Sequence, residues 1–221
     1  MRDNPSFALE DPEAVRDLIR DNPWARFISY VPGAGLVASH YPVMVDEQDE
    51  DLVLLSHLGR PDEVTHQLGQ HPMMVIVEGP HGYVSPGWYE SGPSAPTWNF
   101  VVAHLHGTPQ VLSADENLRV LDRLVEHFEK ELDDPQLLHA TAESTEYAQR
   151  TAAGAVGLRM TVDRIEAKEK MSQNKPAATV RRIIAQLRAS GPYTNPALAE
   201  RMETVNAAAL AGGGTDQAGP A

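Results

Sequence analysis

The sequence predicts a mainly β fold with helices (α+β), in which helices flank and interrupt a β-barrel. Short apolar segments of strand length recur along the chain, and turns containing Pro and Gly separate them. Helix start signals occur near both ends of the chain and in its middle. The 221 residues, of which 42% are hydrophobic and 22% charged, are enough to bury a substantial core.

The first half of the chain predicts one helix followed by strands. Asp11, Pro12 and Glu13 supply a capping carboxylate, a first-turn proline and an acid near the positive helix end, so a helix begins there, and Pro23 ends it. The acidic run 46–51 predicts a solvated hairpin loop. The other predicted elements are strands over 24–31, 36–45, 52–56, 73–77 and 83–85, and a short helix over 62–68.

The second half predicts a long strand and several helices. Ser113 and Glu116 form a capping box, and an apolar stripe at helical spacing follows it. The stripe consists of Leu118, Leu121, Val125 and Phe128. The remaining predicted elements are strands over 97–106 and 154–165, and helices over 141–150, 176–187 and 196–209.

The charge balance argues against direct binding to nucleic acid. Lys and Arg number 18 and Asp and Glu number 31, so the net charge is −13. A protein that neutralises many phosphates usually shows a basic face. We interpret the one basic cluster, Arg181, Arg182 and Arg188, as the solvated side of a helix.

The sequence also indicates the compartment. Cysteine is absent, which excludes disulfides and thiolate metal sites and suits a reducing cytosol. The first residues lack the apolar run of a signal peptide, and the longest strongly apolar run, 73–77, is too short to span a bilayer. We therefore expect a soluble cytoplasmic protein with no membrane association.

Residues 79–107 carry most of the functional information. Two of the three tryptophans, Trp88 and Trp98, lie here among prolines and glycines. Aromatic side chains on proline-braced loops make good walls for a flat ligand, and hydroxyl or amide groups such as Ser85, Thr97 and Asn99 can orient it. The alternative is a tightly turned corner with aromatic filler.

The strand over 97–106 has two distinct faces, because successive side chains of a strand alternate. His104 and His106 share one face and make a conceivable metal clamp, for which His57 could be a third ligand. We favour histidines that are packed or solvated, because a short motif of this kind is weak. The face with the histidines comprises Trp98, Phe100, Val102, His104 and His106.

Three pieces of the sequence share a pattern with a known family. The central piece is GPHGYVSPGWY at 79–89 followed by PTWNF at 96–100, and the outlying pieces are SHLGR at 56–60 and KMSQNKP at 170–176. In this order and spacing, they resemble the PaiB-type proteins, which are described as FMN-binding negative transcriptional regulators. The resemblance covers the chain from about residue 10 to 190.

The resemblance implies an FMN-binding split β-barrel that forms a homodimer with its cofactor sites at the subunit interface. We assign the cofactor-binding domain to 1–190. The residues after it predict a C-terminal helix over 191–211 and, from the Gly-rich run at 212–214, a flexible tail over 212–221. His57 and Arg60 would contact the phosphate or another part of the cofactor. The other implied contacts are Tyr83, Ser85, Trp88, Tyr89, Thr97, Trp98, Asn99, Ser172 and Gln173.

The turn after His57 departs from the family pattern. Where the family continues Ala-Arg-Ala-Asn-Pro, this chain has Gly-Arg-Pro-Asp-Glu at 59–63. Two acids, Asp62 and Glu63, therefore stand where a dianionic phosphate is expected, which would weaken its binding.

Two alternatives to an FMN protein stay open. Piperazate synthases, which resemble the same family, bind heme and close an N–N bond in a hydroxylated ornithine, and their middle segment is similar to residues 95–100. An imidazole would then ligate the heme iron, with His57 as the first candidate and His104 as the second. The other alternative is an interaction protein that kept the barrel and lost the cofactor.

The sequence assigns no general base and names no substrate. It contains no evident Ser-His-Asp or paired-carboxylate arrangement, so an enzyme acting on a small molecule and a regulator are both compatible with it. Lys170, Lys175 and Tyr89 are polar groups near the implied site, and we interpret them as solvated side chains.

Overall fold

The computed structural model describes residues 4–89 and 94–212 and divides the chain into two compact units. The larger unit comprises Asp11–Val77 and Ala103–Glu166. The smaller unit comprises Met1–Glu10, Glu78–Val102 and Ala167–Ala221. The tail predicted over 212–221 lies outside the described residues except for its first position.

Helices flank and interrupt the strands along the described part of the chain. The helices are α1 (Pro12–Asp21), α2 (Arg60–His66), α3 (Ala114–Glu129), α4 (Ala142–Ala152), α5 (Ala177–Arg188), α6 (Pro196–Val205) and α7 (Ala207–Gly212). The strands are β1 (Trp24–Val31), β2 (Gly35–Val45), β3 (Val53–Gly59), β4 (Met73–Val84), β5 (Thr97–Gly107), β6 (Gln110–Val111), β7 (Ala155–Thr161) and β8 (Arg164–Lys170). Single 3-10 turns occur at Pro5–Phe7 and Pro86–Trp88.

The eight strands are hydrogen-bonded in the order β6-β7-β3-β2-β1-β4-β5-β8. The β1–β2 hairpin sets its register at the turn 32–34, pairing Val31 with Gly35 and Trp24 with Pro42. Strand β3 joins β2 to β7 through antiparallel ladders on both sides. The predicted mainly β architecture with helices is confirmed.

The core of the larger unit lies beneath α1 and α3. The Asp11 side chain accepts a hydrogen bond from the amide of Glu13 at 3.0 Å, and α1 then buries Val15, Leu18 and Ile19. Helix α3 begins with the predicted capping box of Ser113 and Glu116. Val120 and Leu124 of α3 pack with Leu55 of β3, beside Met44 and Leu112.

The smaller unit is built around α5 and α6. Helix α5 buries Val180, Ile183, Ile184 and Leu187, and α6 buries Leu198, Ala199 and Met202. Helix α6 approaches β4 closely at Gly82, where a Cβ would lie 2.9 Å from Cδ2 of Leu198. A side chain at this position would therefore require the Leu198 side chain to move.

Two strand predictions were wrong in extent. The segments 73–77 and 83–85 belong to one strand, β4, that runs through Gly79, Pro80 and Gly82. Pairing with neighbouring strands overrides the local turn signal of these residues. The segment 154–165 covers β7 and the start of β8. The two strands are separated at Val162 and Asp163, because the amides of these residues donate to the carbonyls of Leu52 and His106.

The helix predictions also needed correction. The buried face of α3 is Asn117, Val120 and Leu124, and Phe128 of the predicted stripe is exposed. The segment 196–209 divides at Asn206, whose side chain is buried and donates to the carbonyl of Met171 at 3.0 Å. The predicted helix 62–68 begins two residues earlier, at Arg60. No helix within the described ranges is long and apolar enough to cross a membrane.

Candidate functional site

Three aromatic side chains meet in the smaller unit. The ring centroids of Tyr83 on β4 and Trp98 on β5 lie 6.3 Å apart in an edge-to-face arrangement. Tyr193, in the loop between α5 and α6, lies 5.0 Å from Tyr83. We call Tyr83, Trp98 and Tyr193 the aromatic wall. These separations are within the range of favourable aromatic pairs.

The aromatic wall borders a cavity of about 300 Å³. This volume is at the lower end of the range for small-molecule sites. Trp98 is 55% exposed and Tyr193 is 50% exposed, so both rings keep large surfaces free for a ligand. The lining residues are Gly82, Tyr83, Trp98, Leu187, Pro192, Tyr193, Thr194 and Asn195.

The corner Ser85–Tyr89 lies next to the aromatic wall. The Ser85 hydroxyl accepts a hydrogen bond from the Gly87 amide at 3.2 Å and starts the 3-10 turn. The guanidinium of Arg182 donates to the carbonyls of Trp88 at 3.3 Å and Tyr89 at 2.6 Å. The Trp88 ring lies 6.3 Å from that of Tyr193. Helix α5 thus holds the corner against the aromatic wall.

Tyr89 is almost fully buried inside this corner, so the interpretation of Tyr89 as a solvated side chain was wrong. Desolvation raises the pKa of its phenol, so the hydroxyl is protonated at neutral pH. The ammonium of Lys175 stands 5.1 Å from the centroid of the Tyr89 ring. Trp88, the neighbour of Tyr89 in sequence, is only half-buried.

Strand alternation separates three residues that the resemblance places in one pocket. Trp98 joins the aromatic wall, whereas Asn99 on the opposite face is buried and donates to the Ser172 hydroxyl at 2.9 Å. Thr97 shares the face of Asn99 and accepts a hydrogen bond from Lys170. The predicted contacts therefore occupy both faces of β5.

The residues of the late loop are used inside the smaller unit. Ser172 is buried with a φ of 61°, a left-handed conformation that is uncommon for serine. The Gln173 side chain accepts from the Met171 amide at 2.7 Å and donates to the Glu169 carbonyl at 2.6 Å. These bonds shape the turn after β8, and a role of either residue toward a cofactor stays a prediction.

His57 lies on β3 in the larger unit, 5.7 Å from the ring of Tyr41. Its Nδ1 atom is buried and has no hydrogen-bond partner within the described ranges. Burial lowers the pKa of His57, so the imidazole is neutral near pH 7. A neutral ring with an unsatisfied nitrogen is suited to one hydrogen bond or one ligand bond to a bound group.

Arg60, at the start of α2, is held by the C-terminal end of α4. Its amide donates to the Gly154 carbonyl at 3.1 Å and its Nε donates to the Ala153 carbonyl at 2.9 Å. Nη1 pairs with Glu63 at 3.0 Å. Glu63 therefore pairs with the guanidinium that the resemblance assigns to a phosphate.

Asp62, the other acid of this turn, is directed toward Tyr41. It accepts a hydrogen bond from the Tyr41 hydroxyl at 2.7 Å, and this bond lowers the pKa of the Asp62 carboxyl. The same hydroxyl accepts from the Gly59 amide at 3.0 Å. Both acids of the turn that departs from the family pattern therefore already have partners within the protein.

His104 and His106 share the half-buried face of β5, as alternation predicts. Nδ1 of His106 lies 3.0 Å from a guanidinium nitrogen of Arg164. Within residues 4–89 and 94–212, no group of three or more His, Cys, Asp or Glu is placed to hold a metal ion.

Sequence reasoning missed Tyr193. This residue lies in the segment Gly191–Asn195, where an aromatic side chain stands among Gly, Pro, Thr and Asn. The same combination drew attention to residues 83–89. This composition is therefore a signal by which Tyr193 could be found in the sequence. Its contact with Tyr83 could not be predicted, because only the packing of α5 and α6 brings the two rings together.

The chain matches the model of a known protein family. A family model described as "Putative FMN-binding domain" matches residues 1–164. The chain belongs to this family. The match supports FMN as the cofactor and does not favour the heme alternative.

Named relatives agree with the PaiB-type resemblance. The Protease synthase and sporulation protein PAI 2 of Bacillus subtilis is 28% identical over 199 residues, which cover 89% of this chain and 94% of that protein. The resemblance found in the sequence is confirmed.

Solved structures support the split-barrel fold. The FAD and heme binding protein from Mycobacterium smegmatis superposes with a TM-score of 0.51 at 20% identity, covering 72% of this chain and 71% of that one. The flavocytochrome Anf3 from Azotobacter vinelandii gives a TM-score of 0.52 at 14% identity, covering 74% and 69%. At these identities the likeness concerns the fold alone.

The smaller unit fits a planar cofactor. The aromatic wall offers exposed ring surfaces beside a cavity, which suits contact with a flavin ring. In the larger unit, the buried and unpartnered Nδ1 of His57 fits a polar group. Tyr83, Trp98 and Tyr193 are therefore the residues that would hold the ring.

Proposed function

We propose that this chain binds FMN and acts as a redox protein in the form of a homodimer, with the flavin ring against the aromatic wall. The observation that carries the proposal is the exposure of Trp98 and Tyr193 beside a cavity. Large aromatic surfaces left open next to a cavity mark ligand sites. Membership of an FMN-binding family supports the choice of ligand.

FMN, when bound, supplies hydride and electron transfer. The protein would contribute position and shielding. Tyr83 and Trp98 present apolar ring surfaces that exclude water from a flat ligand. Arg182 keeps the Trp88–Tyr89 corner in place through two carbonyl contacts, so the aromatic wall is preorganised before a ligand arrives.

The homodimer is supported by an apolar sheet face in the larger unit. Trp24 and Tyr30 on β1 are 63% and 66% exposed, and Leu36 on β2 is 79% exposed. Register places Tyr30 opposite Leu36 and Ile28 opposite Ala38, so the side chains form one surface, which also includes Arg26 opposite His40. Exposed faces rich in aromatic and aliphatic residues mark protein interfaces, and a second copy of the chain is our proposed occupant.

A regulatory role would operate without direct contact to duplex DNA. The net charge of −13 opposes association with a polyanion. A flavin-dependent change in the protein, transmitted to a protein partner, is the form of regulation compatible with this charge.

The absorbance spectrum of the purified protein tests the cofactor. A band near about 450 nm is expected for bound flavin, whereas a Soret band near about 400 nm would indicate heme. The solved relative from Mycobacterium smegmatis, which binds both FAD and heme, makes this comparison necessary. A Soret band that shifts in His57→Ala would overturn FMN in favour of the heme alternative.

A flavin titration tests the aromatic wall. Tyr193→Ala should weaken FMN binding about tenfold, because it removes one ring contact and apolar area. Tyr147→Ala is the matched control, since Tyr147 is similarly exposed but lies on α4 of the larger unit. Equal loss in both variants, or no binding by the wild-type protein at about 100 µM FMN, would contradict the proposal.

A further inference from the structure

We propose that the ammonium groups of Lys170 and Lys175, together with the Thr97 hydroxyl, bind the phosphate group of FMN. The inference rests on the proposed function and deepens it, because it assigns the anionic end of the cofactor to the smaller unit. It replaces our interpretation of both lysines as solvated side chains, and it competes with the assignment of the phosphate to His57 and Arg60.

Lys170 is held in place at the end of β8. Its ammonium donates a hydrogen bond to the hydroxyl of Thr97 and lies 6.0 Å from the centroid of the Phe7 ring. The side chain is half-buried. Its position is therefore defined by contacts, unlike that of a freely solvated lysine.

Neither lysine has an acidic partner within residues 4–89 and 94–212. Their contacts there are the Thr97 hydroxyl and the rings of Phe7 and Tyr89. Glu169, the neighbour of Lys170 in sequence, is paired with Arg201 at 2.5 Å. Two ammonium groups without a described counter-ion, in a chain of net charge −13, point to an anion that is supplied from outside.

Electrostatics within the smaller unit favour such an anion. Burial and the nearby charge of Lys175 lower the pKa of Lys170. A phosphate dianion between the two groups would offset their repulsion and accept a hydrogen bond from each. Helix α5 begins two residues after Lys175 with no side-chain cap and no acid in its first turn, which adds to the positive potential already set by the lysines.

Lys175 connects the proposed phosphate site to the corner beside the aromatic wall. Lys175 stands over the Tyr89 ring, and the adjacent Trp88 contacts Tyr193 of the aromatic wall. Arg60, by contrast, is already paired with Glu63 in the larger unit. The lysines are therefore the better candidates for the anionic end of the flavin. Because Thr97 and Trp98 lie on opposite faces of β5, the flavin would pass around Thr97, the first residue of the strand, to bring its ring to the aromatic wall.

Comparison of FMN with riboflavin isolates the phosphate, since the two flavins differ only in that group. We expect Lys170→Met and Lys175→Met each to weaken FMN binding about tenfold or more, and to change riboflavin binding by less than about twofold. Lys175 is exposed, so its variant is expected to fold normally. Lys130→Met, which removes an exposed lysine of the larger unit, controls for net charge, and Arg60→Met tests the competing site.

Each outcome decides the proposal. Selective loss of FMN affinity in the two lysine variants supports it. It is overturned by equal loss for both flavins, or by selective loss in Arg60→Met alone. If the wild-type protein binds neither flavin, the proposed function fails, and labelling of the flavin-free protein with an amine-reactive reagent decides the anion site separately.

In that labelling experiment, inorganic phosphate should protect Lys170 and Lys175 more than Lys130, as measured by mass spectrometry. Absence of selective protection would overturn the anion site. If the wild-type protein does bind FMN, protection of the lysines together with an FMN preference over riboflavin that both lysine variants retain would assign the site to a different phosphorylated ligand. That result would overturn the assignment to FMN.

Discussion

Nδ1 of His66 lies 2.9 Å from the hydroxyl oxygen of Ser29, in the interior of the larger unit. The second ring nitrogen, Nε2, lies 3.0 Å from the hydroxyl of Ser39. A neutral imidazole donates through one nitrogen and accepts through the other, so two hydroxyl groups satisfy it completely. His66 is 1% exposed, which makes a charge at this position costly.

This arrangement predicts acid sensitivity. Desolvation lowers the pKa of His66 in the folded protein, so the unfolded state binds more protons once the pH falls below about 6.5. The free energy of unfolding should therefore decrease as the pH falls from about 6.5 through the folded pKa. Urea denaturation at several pH values measures this slope.

The variant His66→Gln tests whether His66 causes this dependence of the free energy of unfolding on pH. The variant should lose about 1–3 kcal/mol at pH 7.5, because the hydroxyls of Ser29 and Ser39 lose part of their bonding. Its stability should then depend less on pH than that of the wild-type protein. An identical pH dependence in the two proteins would show that His66 does not titrate in this range.

A charge on the apolar sheet face should break the proposed homodimer. Leu36→Glu places a carboxylate at the most exposed apolar position of the hairpin, where a facing copy would have to desolvate it. Sedimentation velocity should show a dimer for the wild-type protein and a monomer for this variant. Leu132→Glu, exposed but outside the sheet face, should stay dimeric. A monomeric wild-type protein at about 50 µM would refute the dimer.

Close approach of the backbone predicts a strict glycine at position 107. A Cβ there would collide with the carbonyl oxygen of Thr161 and would lie 2.9 Å from Cγ of Met160. Gly107→Ala should cost about 2 kcal/mol or more in thermal or chemical denaturation. Gly191→Ala is the control, since nothing lies within 4 Å of its added Cβ. Similar stability of the two variants would contradict the close contact of Gly107 with Thr161 and Met160.

Loss of Arg182 should loosen the aromatic corner. Arg182→Met removes the donors to the carbonyls of Trp88 and Tyr89, and near-ultraviolet circular dichroism should report weaker ordering of the aromatic rings. FMN affinity should fall by about three- to tenfold, because part of the preorganisation is lost. Arg188→Met, on the same helix but paired with Glu203 at 2.7 Å, should leave both measurements unchanged.

Local signals predicted much of the fold correctly. The bounds of β1 agree with the prediction, and α1 and α3 begin at the predicted caps of Asp11 and Ser113. Each of these features depends on residues within one turn of helix or one hairpin. The errors arose where segments distant in sequence determine the structure. Strand β4 continues through Pro80, and the buried face of α3 is the one that packs on β3.

The candidate site was predicted only in part. Tyr83 and Trp98 come together as the sequence pattern suggested, whereas Asn99 faces the interior and bonds to Ser172. Lys170 was interpreted as solvated, because its side-chain contact with Thr97 requires β8 and β5 to be neighbours.

The sequence by itself determined the family, the main helix caps and the alternation of β5, since motifs, capping groups and strand periodicity are properties of neighbouring residues. Only the tertiary structure decided that Tyr193 completes the aromatic wall and that Arg60 is already paired with Glu63. The physical reason is that ring contacts depend on how separate elements pack, and the availability of a charge depends on which partners the fold brings within a few ångströms of it.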